Sequence, residues 1–268
     1  MTAIAVTIAG SDSGGGAGIQ ADLKTFSALG VYGASVLTAL TAQNTLGVTA
    51  VHDVPPEFVR AQIDAVFSDL SVDAVKIGML SQPAIIETVA AGLDAWHGPP
   101  VVLDPVMVAA SGDPLIADSA VATLVGALVP RADLITPNLP EAARLLAADP
   151  AESDADIEAQ AERLLALGAG AVLLKGGHGS GEEASDFLLS KEGGRWFRAR
   201  RHDTQNTHGT GCTLSSAIAA GLAKGLALDA TVAAAKDYVS AAIAASDDLH
   251  IGSGHGPVHH FHKFWRPS

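Results

Sequence analysis

The stretch Ile157-Glu158-Ala159-Gln160-Ala161-Glu162-Arg163-Leu164-Leu165-Ala166-Leu167-Gly168-Ala169-Gly170-Ala171-Val172-Leu173-Leu174-Lys175 contains two periods in succession. Ile157, Ala161, Leu164 and Leu165 recur at helical spacing and stop at Gly168, where a glycine can end the helix. Val172 to Leu174 then form a short unbroken apolar run, too short for a helix and too continuous for a strand with one wet face. The same alternation appears along the rest of the chain. Apolar runs lie at Ile4 to Ile8, Val72 to Ile77, Val101 to Leu103 and Leu134 to Ile135. Between them, Val59, Ile63, Val66, Phe67 and Leu70 follow Pro55-Pro56, and Ile86, Val89, Leu93 and Trp96 form a second helical stripe. Strand alternating with helix predicts right-handed βαβ units and a mostly parallel sheet covered on both faces. The fold class is α/β, a three-layer αβα sandwich. From Ser185 to His202 the pattern changes to a hairpin turning at Lys191-Glu192-Gly193-Gly194, and two alanine-rich helices follow at Gly211 to Leu226 and Asp229 to Ser246. No repeat or composition break divides residues 1–268, which read as a single domain.

Composition narrows the class of function. The chain has 268 residues, with 16 Lys and Arg against 29 Asp and Glu, a net charge of −13. Without a basic block, such a chain is a poor tracker of nucleic-acid phosphates. No uncharged apolar run approaches the ~18 residues of a membrane span, and the apolar start from Met1 to Gly10 has no basic residue before it. A single cysteine forms no intramolecular disulfide, so a reducing cytoplasm is the expected address.

Ligands of an open parallel sheet sit beyond the carboxyl ends of its strands. There the sequence places Gly10 to Gly18, Gly78-Met79, Asp104-Pro105-Val106, Thr136 to Glu141, and Lys175-Gly176-Gly177-His178. Glycine backbone and lysine donate to phosphate, and a few carboxylates suit Mg²⁺, which keeps phosphate oxygens and water among its ligands. The glycine loop has no G-x-G-x-x-G register and no acid about 20 residues on, and a G-x-x-x-x-G-K-[ST] loop is absent. Asn138-x-x-Glu141 with Pro140 also reads as a helix capping box, and Asp104 as a cap on the turn at Pro105. In Asn206-Thr207-His208-Gly209-Thr210-Gly211-Cys212-Thr213, two glycines let amides converge at a helix start, an anion nest. The thiol of Cys212 at that start is expected to have a lowered pKa and to accept a proton; packing is the other reading of a lone cysteine. His255, His259, His260 and His262 resemble a metal cluster without a carboxylate partner shell, and Phe261, Phe264 and Trp265 beside them read as a docking tail.

Taken in order, eight segments resemble the hydroxymethylpyrimidine/phosphomethylpyrimidine kinases of thiamine synthesis. They are the Gly-Ser-Asp to Lys-Thr segment at 10–25, Thr-Ala-Leu-Thr-Ala-Gln-Asn-Thr at 38–45, Lys-Ile-Gly-Met-Leu at 76–80, Asp-Pro-Val-Met at 104–107, Thr-Pro-Asn-Leu-Pro-Glu-Ala at 136–142, Lys-Gly-Gly-His at 175–178, Asn-Thr-His-Gly-Thr-Gly-Cys-Thr at 206–213, and Gly-Pro-Val-His-His-Phe-His at 256–262. The resemblance implies a ribokinase-like fold, a homodimer, and ATP- and Mg²⁺-dependent phosphorylation of the pyrimidine's hydroxymethyl group and then of its monophosphate. It implies pyrimidine contacts at Ala17, Asp22, Gln43, Met79 and Val106. Gly209, Thr210, Gly211 and Cys212 become the catalytic anion hole, with Cys212 in the base position. Asp104 and Glu141 become metal ligands, and Asn138, Lys175, Thr207 and His208 lie near ATP. Asp12-Ser13-Gly14-Gly15-Gly16 departs from the Asp-Pro-Ser-Gly-Gly of many relatives, and Cys212 stands where the wider superfamily has Asp. The competing readings are a pyridoxal or pyridoxine kinase on the same fold and a nucleotide-binding regulator without turnover.

Overall fold

The computed structural model describes residues 1–96, 98–108, 115–177 and 181–265. A nine-stranded sheet has the order β3-β2-β1-β4-β5-β6-β7-β8-β9. Its strands are β1 (Ile4–Asp12), β2 (Tyr32–Asn44), β3 (Gly47–Asp53), β4 (Ala74–Ile77), β5 (Val101–Leu103), β6 (Leu134–Ile135), β7 (Ala171–Lys175), β8 (Glu183–Ser190) and β9 (Gly193–Arg200). The strands from β2 to β7 pair in parallel, and the antiparallel strands β3, β8 and β9 form the two edges. The predicted hairpin turns between Ser190 and Gly193. The predicted β5 and β6 match residue for residue.

Two strands, β2 and β3, escaped the sequence reading. β3 is mostly exposed, and β2, though buried at Val36, Thr38, Ala39 and Thr41, mixes Ala, Ser, Thr and Gly among its apolar residues, so neither shows a run of Val, Ile and Leu.

Each central strand sends alternate side chains to opposite faces, as a two-residue period requires. Val6, Ile8, Val75, Ile77, Leu103, Ile135, Val172 and Leu174 join one core. Helices α2 (Pro56–Phe67), α3 (Pro83–Ala95), α4 (Asp118–Thr123), α5 (Leu139–Leu146) and α6 (Asp154–Leu165) cover that face. Ala5, Ala74, Val102, Leu134 and Leu173 face α1 (Gly18–Ala28), α7 (Thr210–Ala223) and α8 (Leu228–Ala244) across a second core. These are the three layers. On this alternation Lys76 falls on the α1 and α7 side, fully buried in an apolar strand. Among the described residues, no helix is long and apolar enough to cross a membrane.

The terminal histidines are packed individually. His259 and His260 are buried, His262 Nδ1 lies 3.1 Å from the His259 carbonyl, and His255 Nδ1 lies 3.2 Å from the Gln205 carbonyl. Phe261 stacks on Trp265, while Phe264 and Trp265 remain exposed.

Candidate active site

A cavity of about 460 Å³ opens at the carboxyl ends of the parallel strands. Its first wall is the turn from Asp12 to Gly18, which is built around one carboxylate. Asp12 Oδ1 accepts from the Gly14 amide at 2.8 Å, and Oδ2 accepts from the Gly16 and Ala17 amides at 3.0 and 2.8 Å. Oδ2 also lies 2.8 Å from His208 Nε2. Burial works to raise the Asp12 pKa; the His208 and Ala17 hydrogen bonds outweigh it, so the carboxyl lies below its ordinary value.

Opposite this turn is the start of α7. Gly209 has φ +81°, a left-handed conformation glycine adopts at little cost. A Cβ there would fall 1.9 Å from the Gly16 carbonyl oxygen, so the two glycine turns touch backbone to backbone. No side chain caps the helix. Thr210 N donates to Thr207 O and Thr213 N to Gly209 O, which leaves the Gly211 and Cys212 amides without an acceptor among the described residues. Free first-turn amides and the helix dipole make this an anion site.

Between the two turns, β5, β6 and β7 contribute charge. Lys175 Nζ donates to Asp104 Oδ1 at 2.8 Å, and Thr136 Oγ1 donates to the same oxygen at 3.0 Å. Burial favours a neutral Asp104, but Lys175 and Lys76 hold its pKa below the usual carboxylate range. Glu141 and Asn138 form the anticipated capping box, with both bonds at 2.8 Å. Burial, and then the Asp104 charge, push Glu141 up to about 7 against Lys175 and the amides of Asn138 and Met107.

The sequence-predicted residues converge with one exception. Ala17, Gln43, Met79, Val106, Asp104, Asn138, Glu141, Lys175 and residues 207–212 all line the cavity. Asp22 lies beneath the floor, fully buried. Its carboxylate accepts from Lys76 at 2.9 Å, from Thr7 Oγ1 at 2.6 Å and from Ser216 Oγ at 2.6 Å. With those donors engaged, it supports the floor rather than lining the space above. His208 also lines the cavity and reaches the Asp12 turn and Gln43. His178 of the Lys-Gly-Gly-His segment lies outside the described residues.

The expected lowering of the Cys212 pKa is not found. Burial pushes the thiol up to about 11; Asp22 and Asp104 act the same way, and Lys76 with the Gly18 amide only partly offsets them. A helix start favours thiolate, but here desolvation wins.

Sequence reasoning passed over Lys76, though an ammonium in an apolar strand was its visible signal. It forms the floor ion pair with Asp22 and lines the cavity. It also passed over the buried pair of Lys236 and Asp186, 2.6 Å apart. No local pattern joins those two.

The Phosphomethylpyrimidine kinase family matches residues 12–259. The hydroxymethylpyrimidine/phosphomethylpyrimidine kinase of Rhizobium meliloti (strain 1021) is 60% identical over 266 residues, 99% of this chain and 100% of the relative. The crystal structure of the phosphomethylpyrimidine kinase of Clostridium difficile 630 is 45% identical, with a TM-score of 0.80 over 90% of this chain and 99% of that one. The ADP complex of Bacillus subtilis pyridoxal kinase is 37% identical, with a TM-score of 0.91 over 99% of this chain and 100% of that one. By a match across nearly its whole length, this ribokinase-like chain belongs to the phosphomethylpyrimidine kinase family.

Proposed function

We propose that the chain transfers the γ-phosphoryl group of ATP to the hydroxymethyl oxygen of 4-amino-5-hydroxymethyl-2-methylpyrimidine, and then a second one to the resulting monophosphate. The supporting observation is one cavity that joins an uncapped helix start, a lysine–carboxylate cluster and a small apolar wall carrying Gln43. The Gln43 amide both donates and accepts, as an aminopyrimidine edge requires, with Met79 and Val106 as apolar surfaces. The Gly211 and Cys212 amides and Lys175 meet the charge on the moving phosphoryl group, where phosphoryl transfer needs most help. Because the Cys212 thiol keeps its proton near neutral pH, we assign its contribution to its amide and not to proton abstraction.

The residues also fit Mg²⁺. Asp104 pairs with Lys175, and Glu141, raised to about 7 by burial and then by the Asp104 charge despite Lys175, lies close to the same pair and is a second carboxylate for a cation. Among the described residues, no group of three or more His, Cys, Asp or Glu could cage a metal. That suits an ion completed by phosphate oxygens and water. When bound, Mg²⁺ would neutralise phosphate charge; Asp104 and Glu141 would hold it.

The test is ADP release with Mg·ATP against the hydroxymethylpyrimidine, its monophosphate and pyridoxal in parallel. Turnover of both pyrimidines is the expected result. Release with pyridoxal alone would select the second reading, a pyridoxal kinase, which the match to the Bacillus subtilis enzyme keeps in view. A homodimer in a reducing cytoplasm completes the proposal, and sedimentation equilibrium of the purified chain would show one species of twice the monomer mass.

A further inference from the structure

The regular ladder on β2 stops just short of Gln43. β1 ends at Asp12, whose partner on β2 is Thr41, while β2 continues to Asn44. On the other side, the β2–β3 register shifts between Ala42 and Gln43, a break of the kind that re-aims a side chain and disrupts the ladder around it. One hydroxyl takes over there. Ser13 Oγ donates to the Gln43 carbonyl oxygen at 2.7 Å and accepts from the Gln43 backbone N–H at 2.8 Å. A hydroxyl carries one proton and two lone pairs, so it makes both bonds at once. Ser13, the residue after β1, thus does for Gln43 what one more paired residue of that strand would have done.

The turn that carries this hydroxyl is itself held in place. Gly14 packs so closely on β2 that a Cβ there would lie 3.3 Å from both the Gln43 carbonyl oxygen and Asn44 Cα. The Asp12 carboxylate holds the turn through the Gly14, Gly16 and Ala17 amides. Gln43 lines the cavity; Ser13 is exposed and is not part of the cavity wall. Its route to a bound ring therefore runs through Gln43.

We propose that Ser13 is a positioning residue for substrate binding. By holding both backbone groups of Gln43, its hydroxyl fixes the point from which the Gln43 amide enters the cavity and ties that point to the Asp12 turn. Position 13 is also where Asp12-Ser13-Gly14-Gly15-Gly16 departs from the Asp-Pro-Ser-Gly-Gly of many relatives, and a proline there has no hydroxyl to offer. The inference rests on the reading of Gln43 as the side chain that meets the pyrimidine ring.

The experiment is a double-mutant cycle of Ser13→Ala and Gln43→Leu, read as KM for the hydroxymethylpyrimidine and, separately, KM for ATP. Gln43→Leu leaves both Ser13 bonds available, because they are made to the backbone. Ser13→Ala should raise the pyrimidine KM about three- to tenfold and change the ATP KM by less than about twofold, the scale of lost hydrogen bonds felt at one ligand. Ser13→Thr keeps the hydroxyl and should restore most of the loss. In the Gln43→Leu background, Ser13→Ala should add nothing further, because residues acting through one contact are not additive. An unchanged pyrimidine KM for Ser13→Ala, multiplying losses, a parallel rise in the ATP KM, or no rescue by Ser13→Thr would each overturn the positioning role while leaving Gln43 in place. An unchanged pyrimidine KM for Gln43→Leu would overturn both that role and the pocket assignment beneath it.

Discussion

Cys212 is a side chain whose environment reverses what its position in the sequence implies. The sequence shows a thiol at a helix start, but not the carboxylates of Asp22 and Asp104 brought near it from distant elements, nor the burial that dominates. With the thiol pushed up to about 11, kcat should stay flat between about pH 7 and 9, and iodoacetamide should react slowly until the pH nears 11. Cys212→Ala keeps the amide, so its kcat should fall less than about tenfold; a true general base would cost about 10² to 10⁴. A kcat that climbs tenfold per pH unit in the wild type and collapses in Cys212→Ala would restore the thiol as base. Glu141 offers a prediction about stability. Its native pKa is raised to about 7, so its favourable contribution is complete below the unfolded value near 4.5 and is lost as pH rises through 7. In the absence of metal, Glu141→Gln should therefore be more stable than the wild type at pH 8, by on the order of 1 to 3 kcal/mol, and equal to it near pH 5. Urea melts at the two pH values check the sign, and a Mg²⁺ titration of activity should show weakened dependence in the same variant. The capping box had been legible in Asn138-x-x-Glu141; the Glu141 charge environment, which depends on Asp104 and Lys175, was not.

The start of α7 and the Asp12 turn act as one element because Gly209 and Gly16 touch through backbone atoms. Gly209→Ala would place a methyl group on the Gly16 carbonyl and force a residue with a side chain to φ +81°. We expect kcat to fall by at least about 10²-fold, more than for Cys212→Ala, since misplaced donors lose stabilisation of the developing charge itself. Circular dichroism melts and kcat measured side by side check this, and an alanine variant with wild-type turnover would remove the nest from the mechanism. Elements were legible in the sequence in proportion to burial. β5 and β6, buried on both faces, had been bounded correctly, whereas β2 and β3 had not been recognised. The edge strand β3 faces solvent and needs no apolar run, and β2 beside it meets the core with scattered small residues such as Val36 and Ala39, while the pairing of the two is a contact between strands.

For the molecule as a whole, the convergence of loops at one end of the sheet could be read from strand ends alone, because parallel topology places them together. The cross-links that stiffen that convergence could not. Lys76 with Asp22 and His208 with Asp12 pair residues that are 54 and 196 positions apart. A similar long-range contact predicts acid sensitivity. His260, buried and 3.1 Å from Thr213 Oγ1, is held down to about 3 by burial and then by Lys24, His259, His208 and His262. A lowered histidine pKa contributes stability that is present above about 6.5 and lost as pH falls toward 3, on the order of 3 to 5 kcal/mol at full extent. Chemical denaturation from pH 7 to 4 should therefore show a steeper loss for the wild type than for His260→Gln; parallel curves would remove His260 from the acid response. Beyond thermodynamics, residues 256–258 clamp His208, which holds Asp12 and the first glycine turn. During synthesis that turn and all nine strands precede residues 256–258, so the sheet can pair before the first wall of the cavity is fastened.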